Sequence, residues 1–360
     1  MTEQALVELL QDLVELESPS GSPGARAVAS RVGEELDRLG AESTLLEGNH
    51  LRAELPGRGA PLLLSGHVDT VWLEGTLAEM PFRVEGDRAF GPGVYDMKAC
   101  LVAMLEAIRR AGPDRRALRV LLTADEERGS PTGRVPLEEA AQGVAAALVV
   151  EPPTPSGNLK TSRKGLGIFT LTVVGRAAHA GTHPEEGVSA IEELAHQIRA
   201  LHALNDELRG ASVNVGVVEG GTAANVVPDR AEARVDVRIA HPADREWVER
   251  ALEELHPVDP EAELELGGGW TRPPLERSEG AGRLFARARE HGRELGLELG
   301  EASSGGGSDG NLLGALGVPV LDGLGVEGGG AHSADEHVDL RSLPVRAELL
   351  ARLLQDSGLP

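Results

Sequence analysis

The order of apolar and polar positions along the chain predicts alternating helices and strands in its first part. Residues 4–16 and 25–39 have apolar side chains at helical spacing, and the second segment stops before Gly40. Three continuous apolar runs follow, as in strands covered on both faces: PLLLSGHVDT, ALRVLLTADEE and VAAALVVEPP. Between the first two lies DMKACLVAMLEAIRRAG, which has helical spacing and a final glycine. This alternation predicts an α/β layer.

The pattern changes in the middle of the chain. GIFTLTVVG, SVNVGVVEGG and AEARVDVRIA alternate as half-exposed strands do, and the helical segment GVSAIEELAHQIRALHAL follows the first of them. We therefore predict an antiparallel sheet with helices here. A helix at 280–295, a strand near LGLELGEA, a glycine-rich loop and a closing helix from about Leu343 restore the first pattern. The predicted organisation is one α/β domain in two parts, 1–164 and 274–360, with an inserted domain at 165–273.

The composition narrows the classes of partner and of site. Of 360 residues, 58 are acidic and 35 basic, so the formal net charge is -23. This charge repels phosphate backbones and anionic lipids, so neither nucleic acid nor a membrane is an expected partner. Cys100 is the only cysteine, and a metal site would have to use histidines and carboxylates. Neither a signal peptide nor an apolar run of the roughly 20 residues that span a bilayer is present, which predicts a cytoplasmic protein.

Metal-binding side chains follow the predicted strands. Ligands gather at the carboxyl ends of strands in α/β sheets, so these residues are expected to converge. Taken singly, each has an ordinary explanation as a hydrogen-bonded histidine, a helix cap or a solvated turn. Together they predict a metal site, because clustered carboxylates repel one another unless a cation lies between them. The candidates are His67, Asp69, Asp96, Asp125, Glu126, Glu127, Glu151 and His332.

The spacing of His67 and Asp69 has a physical explanation of its own. Residues i and i+2 of an extended segment point the same way, so the Asp69 carboxylate can accept the proton of one imidazole nitrogen. The other nitrogen of His67 is then free to bind metal. We therefore expect the strand to act as a rigid support and Asp69 to select the tautomer of His67.

Several motifs, taken in order, resemble the aminoacylase and carboxypeptidase family of di-zinc hydrolases. They are SGHVDTVWLEGTLAEMPFRVEGDRAFGPGVYDMK, TADEERGS, Glu151, GRAAHAG and GGGAHSADEHVDL. The resemblance implies a zinc-peptidase-like α/β/α catalytic domain, an inserted α+β lid and dimerisation domain, and a homodimer. It also implies two Zn²⁺ ions, with Co²⁺ or Mn²⁺ as acceptable substitutes. The glutamate carboxypeptidase branch is the most similar, because Trp72 follows HVDTV where many deacetylases have proline.

The resemblance also implies roles for the candidate residues. Asp96 would bridge the two metal ions, and the peptide bond after it is often cis in this family. Glu126 would be the general acid and base, and Asp69 would orient a histidine ligand. The remaining ligands would be His67 and Glu151 at one ion, and Glu127 and His332 at the other.

In the inserted domain, the resemblance implies four residues that contact the substrate. His179 would stabilise the oxyanion, in several family members across the dimer. Asn225 would contact the substrate, and Arg238 and Arg272 would hold its free carboxylate, which a guanidinium group matches in shape. For each arginine, a surface ion pair is the alternative interpretation.

The predicted function is therefore a zinc-dependent carboxypeptidase that cleaves an amide bond in a small peptide or N-acyl amino acid. The product would be an amino acid with a free carboxylate, most similar to glutamate. An N-acyl-amino-acid deacylase on the same site is the first alternative. A serine hydrolase is a second, because GGSDG fits G-x-S-x-G and Ser308, Asp322 and His332 occur in the order seen in α/β-hydrolases. A metal-free binding protein is a third alternative, but none of the metal ligands that the family motifs require is missing from the sequence.

Overall fold

The computed structural model describes residues 1–206 and 210–359, which form two compact units. The first unit comprises Met1–Ser162, Leu275–Ser304 and Ser308–Pro360, and the second comprises Arg163–Pro274 with Gly305–Gly307. The short Gly305–Gly307 segment was predicted in the α/β domain but clusters with the second unit. Within the described residues, no helix combines the length and the apolar character that crossing a bilayer requires.

The first two helices begin at capping residues of the sequence. Thr2 and Ser22 accept hydrogen bonds from peptide N–H groups in the first turns of the first two helices. The α-helices are α1 (Glu3–Val14), α2 (Pro23–Arg38), α3 (Thr76–Glu79), α4 (Ala99–Ala111), α5 (Arg134–Ala140), α6 (Ala190–His202), α7 (Ala243–Glu253), α8 (Glu279–Glu294), α9 (Asp309–Ala315) and α10 (Ser342–Gln355).

Among the described residues, the strands of the first unit lie in three sheets and those of the second unit in two. In chain order the strands are β1 (Glu42–Leu45), β2 (Leu51–Leu55), β3 (Arg58–His67), β4 (Arg83–Glu85), β5 (Arg88–Phe90), β6 (Arg116–Thr123), β7 (Ala146–Val149), β8 (Leu159–Arg163), β9 (Gly165–Val174), β10 (Ala178–His179), β11 (Ser212–Gly220), β12 (Val226–Val227), β13 (Arg230–Ile239), β14 (Glu263–Arg272), β15 (Glu301–Ser304), β16 (Val320–Leu321), β17 (Gly328–Gly329) and β18 (His337–Asp339). The strand expected near LGLELGEA is β15, and it starts only at Glu301.

The central sheet of the first unit has the order β1-β2-β6-β3-β7-β16. Strands β6, β3, β7 and β16 are parallel, and β1 and β2 are antiparallel additions at one edge. Leu62 and Leu64 of β3 join the core on one face of the sheet, with α1, α2, α4 and α10, whereas Leu63 joins the core on the other face, with α5 and α9. Both faces of the strand are buried, which explains its continuous apolar run and confirms the predicted α/β layer.

The second unit has an antiparallel sheet of order β11-β13-β9-β14, as its alternating pattern predicted. Helix α6 covers one face, and Leu194 of that helix shares a core with Leu171, Val235 and Val237 of the sheet. Ser189 caps α6 by accepting a hydrogen bond from the peptide N–H of Glu192. Strands β11 and β14 are the edges of this sheet.

Candidate metal centre

Asp96 lies in an irregular turn that leads into α4. Gly93 begins the turn in the left-handed region with φ 70°, and the turn covers Val94–Lys98. The Asp96–Met97 peptide bond is cis, as the family resemblance implied. The Asp96 carboxylate lies beside the carboxyl ends of the parallel strands, where its two oxygens face different neighbours.

The first group of possible ligands surrounds Oδ1 of Asp96. Nε2 of His67, at the end of β3, lies 3.2 Å from this oxygen and 3.5 Å from Oε1 of Glu151, which follows β7. His67 and Glu151 are both buried. The ligand atoms of the three residues lie within 4.8 Å of one another, close enough to share a metal ion.

The second group surrounds Oδ2 of Asp96. Nε2 of His332 lies 3.5 Å from this oxygen and 3.3 Å from Oε2 of Glu127. His332 is held in the left-handed region, with φ 63°, in a glycine-rich loop. The other oxygen of Glu127, Oε1, is buried and has no hydrogen-bond partner in the described part of the chain. A buried unpaired carboxylate oxygen is costly, and a divalent cation would satisfy it, so these residues fit a metal ion.

Asp69 organises the centre in a way that differs in part from the prediction. Nδ1 of His67 lies 2.9 Å from the backbone carbonyl oxygen of Asp69 and 3.5 Å from its carboxylate oxygen Oδ1. A carbonyl oxygen can only accept, so it accepts a hydrogen bond from Nδ1–H of His67. Nε2 then faces Asp96 and Glu151. The prediction named the right residue, and its carbonyl oxygen is a nearer acceptor than its carboxylate.

The Asp69 carboxylate is turned towards a different segment. It accepts hydrogen bonds from the peptide N–H groups of Glu126 and Glu127, each at 3.2 Å, and from Oγ of Ser20 at 2.6 Å. Glu126 and Glu127 begin a short 3-10 turn, so their adjacent side chains diverge. One buried carboxylate thus fixes the turn that carries both glutamates.

The charges at this centre are mutually stabilised. Burial disfavours the charged forms of His67 and Asp96, but hydrogen bonds outweigh it: the pKa of His67 is raised well above its usual value, and that of Asp96 is lowered. Hydrogen bonds to Asp96 and Glu127 raise the pKa of His332 to about 10. The carboxylates therefore favour positive charge at both imidazoles. A divalent cation would replace these protons.

Comparison with known proteins identifies the family. A model described as peptidase family M20/M25/M40 matches residues 63–356. The chain belongs to this family. It is accordingly a hydrolase that acts on amide bonds, and the predicted family and fold class are confirmed.

Three M20-related proteins show the extent of the likeness. Carboxypeptidase G2 of Pseudomonas sp. (strain RS-16) is 34% identical over 372 residues, covering 98% of this chain and 89% of that protein. A succinyl-diaminopimelate desuccinylase of Thioalkalivibrio sulfidiphilus is 26% identical and covers 97% of this chain and 98% of its own length. The crystal structure of an M20 family metallo-carboxypeptidase from Sulfolobus solfataricus has a TM-score of 0.77 at 17% identity, over 97% of this chain and 98% of that one.

Two residues predicted to contact the substrate, His179 and Asn225, lie close together in the second unit of this M20 chain. His179 pairs with Val226 between β10 and β12, and the peptide N–H of Ala180 donates to the backbone carbonyl oxygen of Asn225 at 3.1 Å. Nδ1 of His179 accepts hydrogen bonds from the peptide N–H groups of Gly181 (3.0 Å) and of the next residue (3.2 Å). The neutral ring therefore has its proton on Nε2, which is the tautomer that an oxyanion donor needs.

Arg238 and Arg272 lie in one row of the antiparallel sheet, because both are paired with Leu166 from opposite sides. Directly paired residues point to the same face. The Arg238 guanidinium donates to both carboxylate oxygens of Asp236, at 2.9 and 3.1 Å, and to the carbonyl oxygen of Gly305 at 2.7 Å. Arg238 therefore forms an ion pair, and its contact with substrate stays a prediction. Arg272 is buried at the end of β14.

Ser308 does not form the arrangement of a serine nucleophile in this M20 chain. Its hydroxyl is completely buried, donates to Oδ2 of Asp322 at 2.6 Å and accepts from the peptide N–H of Gly310 at 3.0 Å. The contact with Gly310 caps α9. The His332 imidazole faces Asp96 and a second carboxylate instead. The match to G-x-S-x-G is a helix start.

Three residues around the centre were missed by the sequence analysis as contributors. Ser20 donates to the Asp69 carboxylate, and Glu336 accepts hydrogen bonds from the turn around Asp96 and from the indole of Trp72. The position of Glu336, four residues after His332 in the motif AHSADE, was a usable signal. The contact of Ser20 had no local signature.

Proposed function

We propose that this chain is a metallo-carboxypeptidase that hydrolyses the amide bond before a C-terminal, glutamate-like amino acid. The observation that carries the proposal is the Asp96 carboxylate, whose two oxygens belong to two separate groups of possible metal ligands. The identity to Carboxypeptidase G2 over nearly the whole chain supports the reaction class. The proposed metal is zinc, and histidine and carboxylate ligands also accept cobalt or manganese.

Asp96 would be shared between two metal ions, and the other ligands would divide between them as the two groups do. Two metal ions bound by these ligands would supply Lewis-acid charge, which lowers the pKa of a water molecule and polarises a carbonyl. The ligands would be His67, Asp96, Glu127, Glu151 and His332.

Glu126 is the proposed general base and acid. Its carboxylate takes a proton from the attacking water and passes it to the leaving nitrogen. The hydrogen bond from the Glu126 peptide N–H to Asp69 supports this role, because it holds the backbone of the base beside the ligand Glu127. The side chain of Glu127 faces His332, so the two neighbouring glutamates serve different tasks.

The second unit supplies the proposed contacts to the substrate. Because Nδ1 of His179 accepts hydrogen bonds, Nε2 carries the proton of the neutral ring and can donate to the oxyanion. Arg272 is the proposed partner of the substrate's free carboxylate, and Asn225 lies next to the strand pair that carries His179. Arg238, which is paired with Asp236, is the second proposed partner of that carboxylate.

A homodimer formed through the second unit is part of the proposal. Strand β11 is an edge strand, and its Val217 and Val218 are 45% and 52% exposed. Unpaired peptide groups along such an edge can pair with a second copy of the same strand. Sedimentation equilibrium should therefore report a dimer that Val218→Lys weakens; a monomeric wild type would contradict this part of the proposal.

The substrate class can be tested with folate analogues, N-acyl-glutamates, dipeptides and N-acyl basic amino acids, assayed after chelation and after zinc is restored. We expect cleavage of the substrates that end in glutamate, and activity that depends on zinc. Full activity after chelation would contradict a metal-dependent mechanism. Preference for N-succinyl-diaminopimelate or N-acetylornithine would instead support the deacylase alternative, which the desuccinylase relative favours.

A further inference from the structure

Glu336 has an unusual set of contacts for a buried carboxylate. Its Oε1 accepts hydrogen bonds from the peptide N–H groups of Tyr95 (3.0 Å) and Asp96 (3.1 Å). Its Oε2 accepts from the peptide N–H of Gly93 at 2.9 Å and from the indole Nε1 of Trp72 at 2.7 Å. Only 1% of Glu336 is exposed. Four donors thus converge on one carboxylate, which offsets the cost of burying its charge.

The donors come from segments that carry metal-binding candidates. Gly93, Tyr95 and Asp96 belong to the irregular turn, where the backbone follows neither a regular helix nor a strand. Trp72 lies five residues after His67 on the chain segment that leaves β3. Glu336 itself ends the loop that carries His332, immediately before β18. One side chain therefore connects three segments that are far apart in sequence.

We propose that Glu336 is a positioning residue for the metal centre, which sets the relative placement of the Asp96 turn, the Trp72 segment and the His332 loop. This inference rests on the proposed function. An outer hydrogen-bond partner of this kind commonly alters metal affinity or activity roughly 10- to 100-fold when it is removed. Glu336 acts only through the ligands that it places.

The substitution Glu336→Gln tests this role in the full chain. The glutamine oxygen can keep the hydrogen bonds from Tyr95 and Asp96, but its NH₂ group then meets the N–H donors of Gly93 and Trp72. We expect a zinc dissociation constant, measured by competition with a chromophoric chelator, that is roughly 10- to 100-fold higher. We also expect a changed visible spectrum of the cobalt-loaded protein, and a fall in kcat that exceeds the rise in KM.

Glu193 offers a matched control in the second unit. It is 2% exposed and accepts hydrogen bonds from the peptide N–H groups of Val258 and Asp259 and from the side-chain amide of Gln197. Glu193→Gln should lower Tm by a similar amount as Glu336→Gln but leave zinc affinity and the cobalt spectrum unchanged. Equal loss of zinc in both variants would overturn the positioning role and attribute the effect to general destabilisation.

Two further variants, Trp72→Phe and Asp96→Ala, test the role of Glu336 in other ways. If Glu336→Gln does not fold, Trp72→Phe removes one donor and leaves the carboxylate in place. We then expect a roughly two- to fivefold weaker zinc affinity, and wild-type affinity would overturn the role. Asp96→Ala separates the two proposals. Loss of zinc in Asp96→Ala together with wild-type zinc affinity in Glu336→Gln would refute only the role of Glu336. Retention of zinc in Asp96→Ala would refute the metal centre itself.

Discussion

Replacement of Asp69 by asparagine should lower kcat roughly 10- to 100-fold while the protein stays folded. In the wild type, Oδ1 accepts the hydrogen bond from the peptide N–H of Glu126, and Oδ2 accepts those from Glu127 and from the Ser20 hydroxyl. An asparagine retains one oxygen, and we expect it at the Oδ2 position, where two donors converge. The new NH₂ group would then face the Glu126 N–H, which loses its acceptor.

The magnitude follows from that lost hydrogen bond. A buried donor without a partner costs about 1–3 kcal/mol, and about 1.4 kcal/mol corresponds to a factor of ten in rate if the cost falls on the catalytic turn. The short contact from Nδ1 of His67 to the Asp69 carbonyl survives the substitution, so zinc affinity should fall less than kcat. A larger loss of zinc affinity than of kcat would indicate that the carboxylate acts mainly on His67.

The assay is steady-state hydrolysis of a chromogenic glutamate-terminated substrate, with zinc content measured on the same samples. Ser20→Ala is the control, because it removes one donor from Oδ2 and leaves both peptide hydrogen bonds in place. We expect less than about a threefold change in kcat for Ser20→Ala. Wild-type kcat in Asp69→Asn would refute the reasoning that this carboxylate holds the Glu126 turn.

Three other predictions use separate residues. Glu126→Ala should keep its zinc and lose roughly 10²- to 10⁴-fold in kcat, and wild-type turnover would show that another group is the base. Burial favours protonation of Glu106, but hydrogen bonds from two arginines of α4 lower its pKa to about 2, so its stabilisation is present above its ordinary pKa of 4.5 and is lost as the pH falls through 2. Glu106→Gln should therefore lower the free energy of unfolding by about 1–3 kcal/mol at pH 7 and by much less near pH 2; urea titrations with an equal loss at both pH values would contradict this. Ser308→Ala should lower Tm but retain kcat within about threefold, whereas complete loss of activity in a folded variant would revive the serine mechanism.

The features predicted best were those with a local physical signature. The continuous apolar run before His67 indicates a strand covered on both faces, and the parallel sheet then accounts for the convergence of His67, Glu127 and Glu151 at one edge. The alternating segments of the second unit likewise predicted an antiparallel sheet. The periodicity of apolar residues, and the position of metal-binding side chains directly after strands, were sufficient to predict these features.

The features that were missed depend on contacts between distant parts of the chain. The hydrogen bond from the Asp96 peptide N–H to Glu336 spans 240 residues, and no periodic pattern in the sequence predicts it. The Asp69 carboxylate accepts a hydrogen bond from the distant peptide N–H of Glu126, so the backbone carbonyl of Asp69 is the nearer acceptor for Nδ1 of His67. The residue spacing could identify Asp69 as the partner but could not distinguish its carbonyl from its carboxylate.

The shared carboxylate of Asp96 can be tested by counting metal ions. Wild type and Asp96→Ala would be dialysed against the same zinc-containing buffer, freed of loosely bound ions, and measured by inductively coupled plasma mass spectrometry. We expect two zinc ions per wild-type chain, because two ligand groups meet at Asp96, and close to none in the variant. Two tightly held zinc ions in folded Asp96→Ala, or none in the wild type, would contradict the di-metal centre.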